Sequence, residues 1–283
     1  MSGHVLPLAG SGDAWAGGAV TSVATCLLAP NPSPWTLDGT NTWILGDRDV
    51  VVVDPGPGDP VHLQAIRDHL ESRDLRVCGV VLTHGHLDHS EGAREFAESA
   101  RVGVRAFDPG HRLGDEGLVD GDLLTVGEHD VRVIATPGHS RDSVSLVLPH
   151  DGSLLTGDTV LGRGTSLVAW PDGTLGDYLD SLQRLRALVD AAGLSRILPG
   201  HGPVLSNPAA VLDAYLDHRR ARLAEVEDVV ASGVSDASEI VAIVYADVPR
   251  EVWPAAELTV RAQLAYLQGG EISGRGGPGV PRR

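Results

Sequence analysis

The stretch THGHLDHSEG, residues 83–92, concentrates side chains that bind metal ions. His84, His86, Asp88 and His89 fall within six positions, directly after an apolar run that predicts a buried strand. Imidazole nitrogens and carboxylate oxygens are ligands that zinc accepts in proteins. A strand end holds such side chains rigidly, so the spacing predicts a metal site in this loop. A solvated, histidine-rich turn or a helix cap is the alternative interpretation.

Three further predicted strand ends carry one ligand-type residue each. His139 lies in TPGHS, Asp158 in TGDT and His201 in PGHG, and a glycine that permits a tight turn precedes each. Each is weak alone, because a single strand-end histidine is more often structural. Four such junctions in one chain predict that these loops converge on a common site. The other histidines, among them His111, show no partner pattern and are predicted to be surface or core residues.

The elements that must position these residues are strands followed by a helical tail. The strand-rich portion divides into two halves around residue 120. Helical periodicity predicts helices over 62–71 and 90–100, with Ser90 as the N-cap of the second. From 208 to 267 the sequence is almost wholly helical, which predicts a small helical domain.

The motif HxHxDH, followed by separate His, Asp and His motifs, resembles the metallo-beta-lactamase superfamily. The resemblance covers roughly residues 20–205. Asp54, in VDPG, matches an earlier strand-end aspartate of that family, usually structural. The resemblance implies an α/β fold, the αββα metallo-beta-lactamase sandwich, with a small C-terminal winged-helix-like domain. It places two ions at one edge, between the sheets.

The resemblance also assigns roles to seven ligands, and it implies two zinc ions, with manganese or iron as alternatives. One ion has three histidines, the other has Asp88 and two histidines, and one aspartate bridges: His84, His86 and His139; Asp88, His89 and His201; Asp158. A hydroxide shared by the two ions would attack an ester carbon or a phosphorus. Asp88 is the predicted catalytic residue, because it can orient the nucleophile or shuttle its proton.

A closer resemblance is to the beta-lactamase-like protein 2 family. The stretch NPSPWTLDGTNTW at 31–43 is similar to its N-terminal signature, and the tail is similar to its winged-helix domain. The predicted organisation is a flexible N-terminus, a catalytic domain, a winged-helix-like domain and a disordered tail: 1–18, 19–206, 207–272 and 273–283. Relatives include single-strand-specific endoribonucleases and thioesterases acting on carrier-bound acyl chains. The predicted substrate is therefore single-stranded RNA or a small-molecule ester or thioester.

Other functions stay open from the residues alone. Glyoxalase II-like thioesterases share all seven ligands, but basic residues of their helical tail hold glutathione, and this chain has no lysine. Beta-lactamases generally lack the bridging aspartate, whereas Asp158 is present here. A non-catalytic binding module with a structural metal is an alternative of a different class. The seven candidate ligands count against it, because structural zinc sites usually close with four. An iron oxidoreductase at the same ligands is a further alternative.

Charge bears on the choice of substrate and partner. The formal net charge of −16 opposes binding to phosphate backbones and to anionic membranes. No segment approaches the ~18 apolar residues of a membrane span, and no signal-peptide pattern is visible, so a cytoplasmic protein is expected. Asn41, Thr42 and Arg219 are predicted substrate-binding residues at the edge of the site. A homodimer through the tail is one arrangement that the sequence allows.

Overall fold

Two six-stranded sheets lie face to face, and helices cover the outer face of each. The computed structural model describes residues 14–269. The strands are β1 (Gly18–Ala19), β2 (Ala24–Leu28), β3 (Asn41–Gly46), β4 (Asp49–Val53), β5 (Arg76–Val81), β6 (Val104–Arg105), β7 (Leu123–Val126), β8 (His129–Ala135), β9 (Val144–Leu148), β10 (Ser153–Gly157), β11 (Arg196–Pro199) and β12 (Leu205–Ser206). The α-helices are α1 (Pro60–Ser72), α2 (Leu87–Ser90), α3 (Ala93–Ala100), α4 (Leu175–Ala192), α5 (Pro208–Ala231), α6 (Ala237–Val244) and α7 (Trp253–Gly269).

Each half of the strand-rich portion builds one sheet. Strands β1 to β6 form the first sheet and β7 to β12 the second, which confirms the predicted division near residue 120. Most neighbours are antiparallel, but β4, β5 and β6 run parallel in the first sheet, and β10 and β11 run parallel in the second. The two-sheet α/β sandwich predicted from the resemblance is thus the observed fold.

Alternating side chains along the central strands separate two apolar cores. Trp43 and Leu45 of β3 are buried between the sheets, where they join Val133 and Leu146 of the second sheet. Ile44, on the opposite face of β3, packs in the core beneath the outer helices. Because both faces are covered, the strands read as continuous apolar runs rather than as alternating ones.

Helix α1 lies on the outer face of the first sheet. Its residues Leu63 and Ile66 are buried in the same core as α3. The Asp59 side chain caps the helix by accepting a hydrogen bond from the backbone nitrogen of Val61 at 2.8 Å. The helix predicted over 62–71 is confirmed.

The helix predicted to begin at Ser90 is divided in two. The chain turns into α2 straight after His86, so Ser90 ends this short helix instead of capping the next. Its hydroxyl donates to the Gly85 carbonyl oxygen at 2.9 Å, which braces the loop of metal-binding residues. Helix α3 starts after Gly92. The prediction was wrong here because a serine at the end of a short turn has the same sequence signature as an N-cap.

Helix α5 packs in two separate apolar cores. Its first half, with Leu212 and Tyr215, is buried with α4 against the second sheet. Its second half, with Val226, packs on α6 and α7 in a separate small core. The predicted domain boundary between 206 and 207 lies before α5, whereas the packing changes part-way along this helix.

Parts of the predicted organisation lie outside the described residues: residues 1–13 of the N-terminal segment, residues 270–272 of the winged-helix-like domain, and the tail at 273–283. Within residues 14–269, no helix combines the length and apolar character that crossing a bilayer requires.

Candidate metal centre

All seven predicted metal ligands meet at one edge of the sandwich. The HxHxDH loop follows β5 of the first sheet, whereas His139 follows β8, Asp158 follows β10 and His201 lies two residues after β11 of the second sheet. The two sheets thus contribute from opposite sides. Three sets of ligand atoms are close enough to hold a metal ion: His84, His86 and His139; His84, His89 and Asp158; Asp88, His89 and His201.

The first set, His84, His86 and His139, is here called the histidine group. His86 Nδ1 lies 3.1 Å from His84 Nε2 and 3.0 Å from His139 Nε2. Ligands about 2.0–2.1 Å from a tetrahedral zinc ion lie about 3.3–3.4 Å apart. The three nitrogens therefore have nearly the spacing that one such ion requires.

The third set, Asp88, His89 and His201, is here called the carboxylate group. His89 Nε2 lies 3.2 Å from His201 Nε2. Asp88 Oδ2 lies 3.3 Å from the first of these nitrogens and 3.2 Å from the second. One carboxylate oxygen and two imidazole nitrogens thus face a common point.

Asp158 lies between the two groups. Its Oδ2 is 3.2 Å from His201 Nε2 and 3.7 Å from His139 Nε2, and its Oδ1 is 3.4 Å from His89 Nε2. Oδ1 is buried without a hydrogen-bond partner among the described residues. A buried acceptor without a partner is costly, and a cation would satisfy it. The donor set and this oxygen fit a metal centre.

Hydrogen bonds to backbone carbonyl oxygens fix which ring nitrogen of His139 and of His201 faces the other ligands. Nδ1 of His139 donates to the Leu167 carbonyl oxygen at 2.7 Å, and Nδ1 of His201 donates to the Gly39 carbonyl oxygen at 3.1 Å. Because a carbonyl oxygen only accepts, these nitrogens carry the proton of the neutral ring, and Nε2 of the neutral ring has a lone pair for a metal. Such contacts orient metal-binding imidazoles.

Asp54 orients His89 of the carboxylate group in the same way. Its Oδ2 lies 2.9 Å from His89 Nδ1, and both of its oxygens accept hydrogen bonds from Thr83, at 2.7 Å from the backbone nitrogen and 2.6 Å from the hydroxyl. The residue adopts a left-handed backbone with φ of 50°, which is uncommon outside glycine. Its side chain holds the turn in which the HxHxDH motif begins.

Electrostatics differ between the two groups. Burial, and then the charge of His89, lower the pKa of His84 well below its usual value. Burial also lowers the pKa of His201, but the Asp158 carboxylate and hydrogen bonds to Asp158 and Asp88 outweigh it and raise the pKa to about 9. For Asp158 burial raises the pKa, but His201 and His89 outweigh it and hold the pKa well below its usual range.

Asn41 and Thr42, the predicted substrate-binding residues of the first sheet, are fully buried. The Asn41 amide donates to the Pro199 and Gly202 carbonyl oxygens, both at 2.9 Å, which ties β3 to the loop that carries His201. The Thr42 hydroxyl donates to the Asp54 carbonyl oxygen at 2.7 Å. Neither side chain has surface for a substrate, so we assign both a positioning role.

Arg219, the third predicted substrate-binding residue, is also buried. It is 5% exposed and donates to the Ser166 carbonyl oxygen beneath the metal centre. Thr40, which precedes Asn41 in the sequence, contacts a ligand directly: its hydroxyl donates to Asp88 Oδ2 at 3.2 Å.

An open cleft of about 410 Å³ lies beside the histidine group. Phe107 forms part of its wall, and the polar lining residues are His86, Asp108, His111, Arg141, Asp142 and Asp172. His111 packs directly on Gly85, where an added Cβ would lie 2.3 Å from its Nε2. Sequence reasoning missed His111 because nothing in its local sequence marks its distance from the HxHxDH loop.

Known proteins share this architecture. The model of the metallo-beta-lactamase superfamily matches residues 35–201, more than half of the chain. The chain belongs to the metallo-beta-lactamase superfamily. It is therefore a hydrolase of this superfamily, with a His/Asp cluster able to bind metal. The beta-lactamase associated winged helix domain matches residues 237–269, which confirms the predicted identity of the C-terminal helices.

Individual superfamily members cover most of the chain. The lactamase-like protein vrtG of Penicillium aethiopicum is 34% identical over 86% of this chain and 80% of its own length. A beta-lactamase-like protein 2 homolog of Caenorhabditis elegans is 33% identical over 88% of this chain and 85% of its own. A metallo-beta-lactamase family protein of Thermus thermophilus superposes with a TM-score of 0.74 at 24% identity, over 92% of this chain and 98% of that one.

Proposed function

We propose that this chain is a dinuclear zinc hydrolase that cleaves a carboxylic ester or thioester of a small molecule. The cleft beside His86 carries the choice of substrate. Its lining contains three aspartates, Asp108, Asp142 and Asp172, and a single arginine, Arg141. An acidic cleft repels a phosphodiester backbone, whereas an uncharged ester carbonyl next to the metal centre meets no such barrier.

The ligands divide the work. The histidine group and the carboxylate group would each hold one zinc ion, with Asp158 shared between them. When bound, a pair of divalent cations lowers the pKa of water and polarises a carbonyl oxygen, which is the chemistry that ester hydrolysis requires. Manganese or iron would satisfy the same nitrogen and oxygen donors, although zinc suits the imidazole-rich set well.

Asp88 is the proposed catalytic residue. Burial raises its pKa, but His89 and His201 outweigh this and hold the pKa well below its usual range, so the side chain is an acceptor and not an acid. Thr40 and His201 engage its Oδ2, while the side chain stays 30% exposed towards solvent. Asp88 is thus placed to accept a hydrogen bond from the attacking water and so to orient it.

Single-stranded RNA is the second candidate substrate, because relatives in the beta-lactamase-like protein 2 family include endoribonucleases. The basic surface that such a protein usually carries has little counterpart in a cleft with one arginine against three aspartates. A glyoxalase II-like activity would be one case of the proposed thioester hydrolysis, and the same assay tests it.

The test compares substrates and variants side by side. Zinc-loaded wild-type protein is incubated with an acyl thioester, an aryl ester and a short single-stranded RNA, alongside His86→Ala and the control His150→Ala. His150 is exposed in the turn between β9 and β10. We expect wild type and the control to hydrolyse an ester or thioester, His86→Ala to lose this activity, and chelation to abolish it. Cleavage of RNA without ester hydrolysis would contradict the proposal.

A further inference from the structure

We propose that Arg219 of α5 is a positioning residue for the metal ligand His139, and that through it the C-terminal helices set the geometry of the histidine group. The proposal rests on the proposed function, since it assumes that His139 holds a cation. Arg219 contacts no metal ligand itself and acts through the segment between β10 and α4.

Arg219 is an unusual residue to bury. It is 5% exposed, and burying a guanidinium costs free energy unless the charge is well compensated. One nitrogen donates to the Ser166 carbonyl oxygen, and the guanidinium carbon lies 4.9 Å from the centroid of the Tyr178 ring. Its Nε has no hydrogen-bond partner among the described residues. Stability alone does not favour this arrangement, because an apolar side chain would fill the space without that cost.

The contact to Ser166 leads directly to the metal centre. Ser166 Oγ lies 3.2 Å from His139 Nδ1, and the carbonyl oxygen of the next residue, Leu167, accepts the proton of the same nitrogen at 2.7 Å. These two atoms fix the rotation of the imidazole ring and hence the direction of its Nε2 lone pair. A shift of the backbone at Ser166 therefore turns a metal ligand.

The same segment is held at its other end. Tyr178, which lies under the Arg219 guanidinium, donates from its hydroxyl to the Thr159 carbonyl oxygen at 2.7 Å. Thr159 directly follows the bridging ligand Asp158. Tyr215 lies one turn before Arg219 on α5, and its hydroxyl accepts a hydrogen bond from the backbone nitrogen of Leu161 at 2.9 Å. Helix α5 and its neighbour α4 thus hold the loop after Asp158 at several points.

A second arginine continues the path towards the winged-helix domain. Arg222, nearly one turn after Arg219, stacks on Tyr245 with 5.2 Å between its guanidinium carbon and the ring centroid. It also donates to the Val244 carbonyl oxygen at 3.3 Å, at the end of α6. One helix therefore joins α6 on one side and the backing of His139 on the other.

The test measures the metal site itself and not only turnover. Metal-free wild type, Arg219→Gln, Arg219→Lys and the control Arg220→Gln are titrated with cobalt(II), whose visible absorption reports ligand geometry. Arg220 is the next residue on α5, and its side chain is 59% exposed. Zinc affinity is measured by chelator competition, and the unfolding temperature of each metal-free protein is recorded.

We expect Arg219→Gln to change the cobalt spectrum and to weaken metal binding by about 10–100-fold, the usual effect of losing a contact that orients a ligand. Arg219→Lys keeps the charge but not the planar fork, so a smaller change in the same direction is expected. Arg220→Gln should match wild type in spectrum and affinity.

A wild-type spectrum and affinity in folded Arg219→Gln would overturn the proposal, and a lowered unfolding temperature alone would then mark Arg219 as merely structural. If Arg219→Gln does not fold, Arg219→Lys decides: an altered spectrum supports the proposal and an unaltered one overturns it. If wild type itself binds no cobalt, the proposed function fails, and the positioning role fails with it.

Discussion

The two halves of the metal centre differ in charge and in access. The histidine group consists of three imidazoles, and one of them, His86, lines the open cleft. The carboxylate group contains Asp88 and two histidines that are almost completely buried, His89 and His201. The histidine group thus borders the cleft through His86, whereas the exposed member of the carboxylate group is Asp88, whose side chain is 30% exposed.

This difference predicts different behaviour towards protons. Burial is the main cause of the lowered pKa values of His84 and His139, so both rings are neutral near pH 7 and ready to accept a cation. In the carboxylate group, nearby carboxylates outweigh burial and raise the pKa values of His89 and His201. A cation must displace those protons before it can bind there.

The largest effect is expected from Asp158→Asn, because this residue serves both groups. Loss of its charge removes the shared ligand and the anion that compensates two cations. Since contacts to ligands alone are worth 10–100-fold, we expect catalytic efficiency to fall by more than about 100-fold. Elemental analysis should show fewer than two ions per chain. Retention of two ions with near-normal turnover would contradict the shared role.

An effect that falls mainly on one group is expected from Asp54→Asn. Asp54 orients His89 through its Nδ1, whereas His139 of the other group is oriented by a backbone carbonyl. Binding of the ion at the carboxylate group should weaken by about 10–100-fold. Binding at the histidine group should weaken less, because Asp54 reaches His84 only through the Thr83 hydroxyl. Zinc titration of the metal-free variant measures both steps. Equal weakening of both would show that the two groups do not act separately.

The pH dependence separates the groups without mutation. His201, with a pKa of about 9, is protonated at pH 7 in the metal-free protein. Because His201 and His89 must both lose a proton before a cation binds, affinity at the carboxylate group should rise with pH up to at least about pH 9, by about tenfold per pH unit for each proton displaced. Affinity at the histidine group should change little over the same range. Parallel pH profiles for the two ions would count against this assignment.

The smallest effect is expected from Thr42→Val, which keeps the shape of the side chain. The change removes the hydrogen bond to the Asp54 carbonyl oxygen and leaves His62 Nε2 without the hydroxyl that lies 2.8 Å away. We expect the free energy of unfolding to fall by about 1–3 kcal/mol, as for other buried groups that lose a partner. KM should stay at its wild-type value. A raised KM with unchanged stability would instead mark Thr42 as a substrate contact.

Local sequence patterns predicted the ligands because each ligand is marked by its immediate neighbours. The HxHxDH motif, and the glycine before His139, Asp158 and His201, mark strand ends that meet at one edge. The division into two sheets was also predictable, because the six strands of each sheet are consecutive in the sequence. The resemblance then supplied the partition of the ligands into two groups, which periodicity alone does not contain.

The supporting contacts were out of reach because they join distant parts of the chain. Asn41 meets Pro199 across 158 positions, and Arg219 meets Ser166 across 53. Polar residue types in a loop or on a helix face fit a substrate contact and a buried hydrogen bond equally well. Only the packing of α5 against α4 and the second sheet distinguishes the two for Arg219.

The proposed function requires that the two inequivalent groups hold two cations side by side. Anomalous diffraction at the zinc edge, from crystals of zinc-loaded protein, tests it most directly. We predict two peaks, one among His84, His86 and His139 and the other among Asp88, His89 and His201, with Asp158 in contact with both. A single peak shared by all seven ligands, or a peak elsewhere in the molecule, would contradict the account.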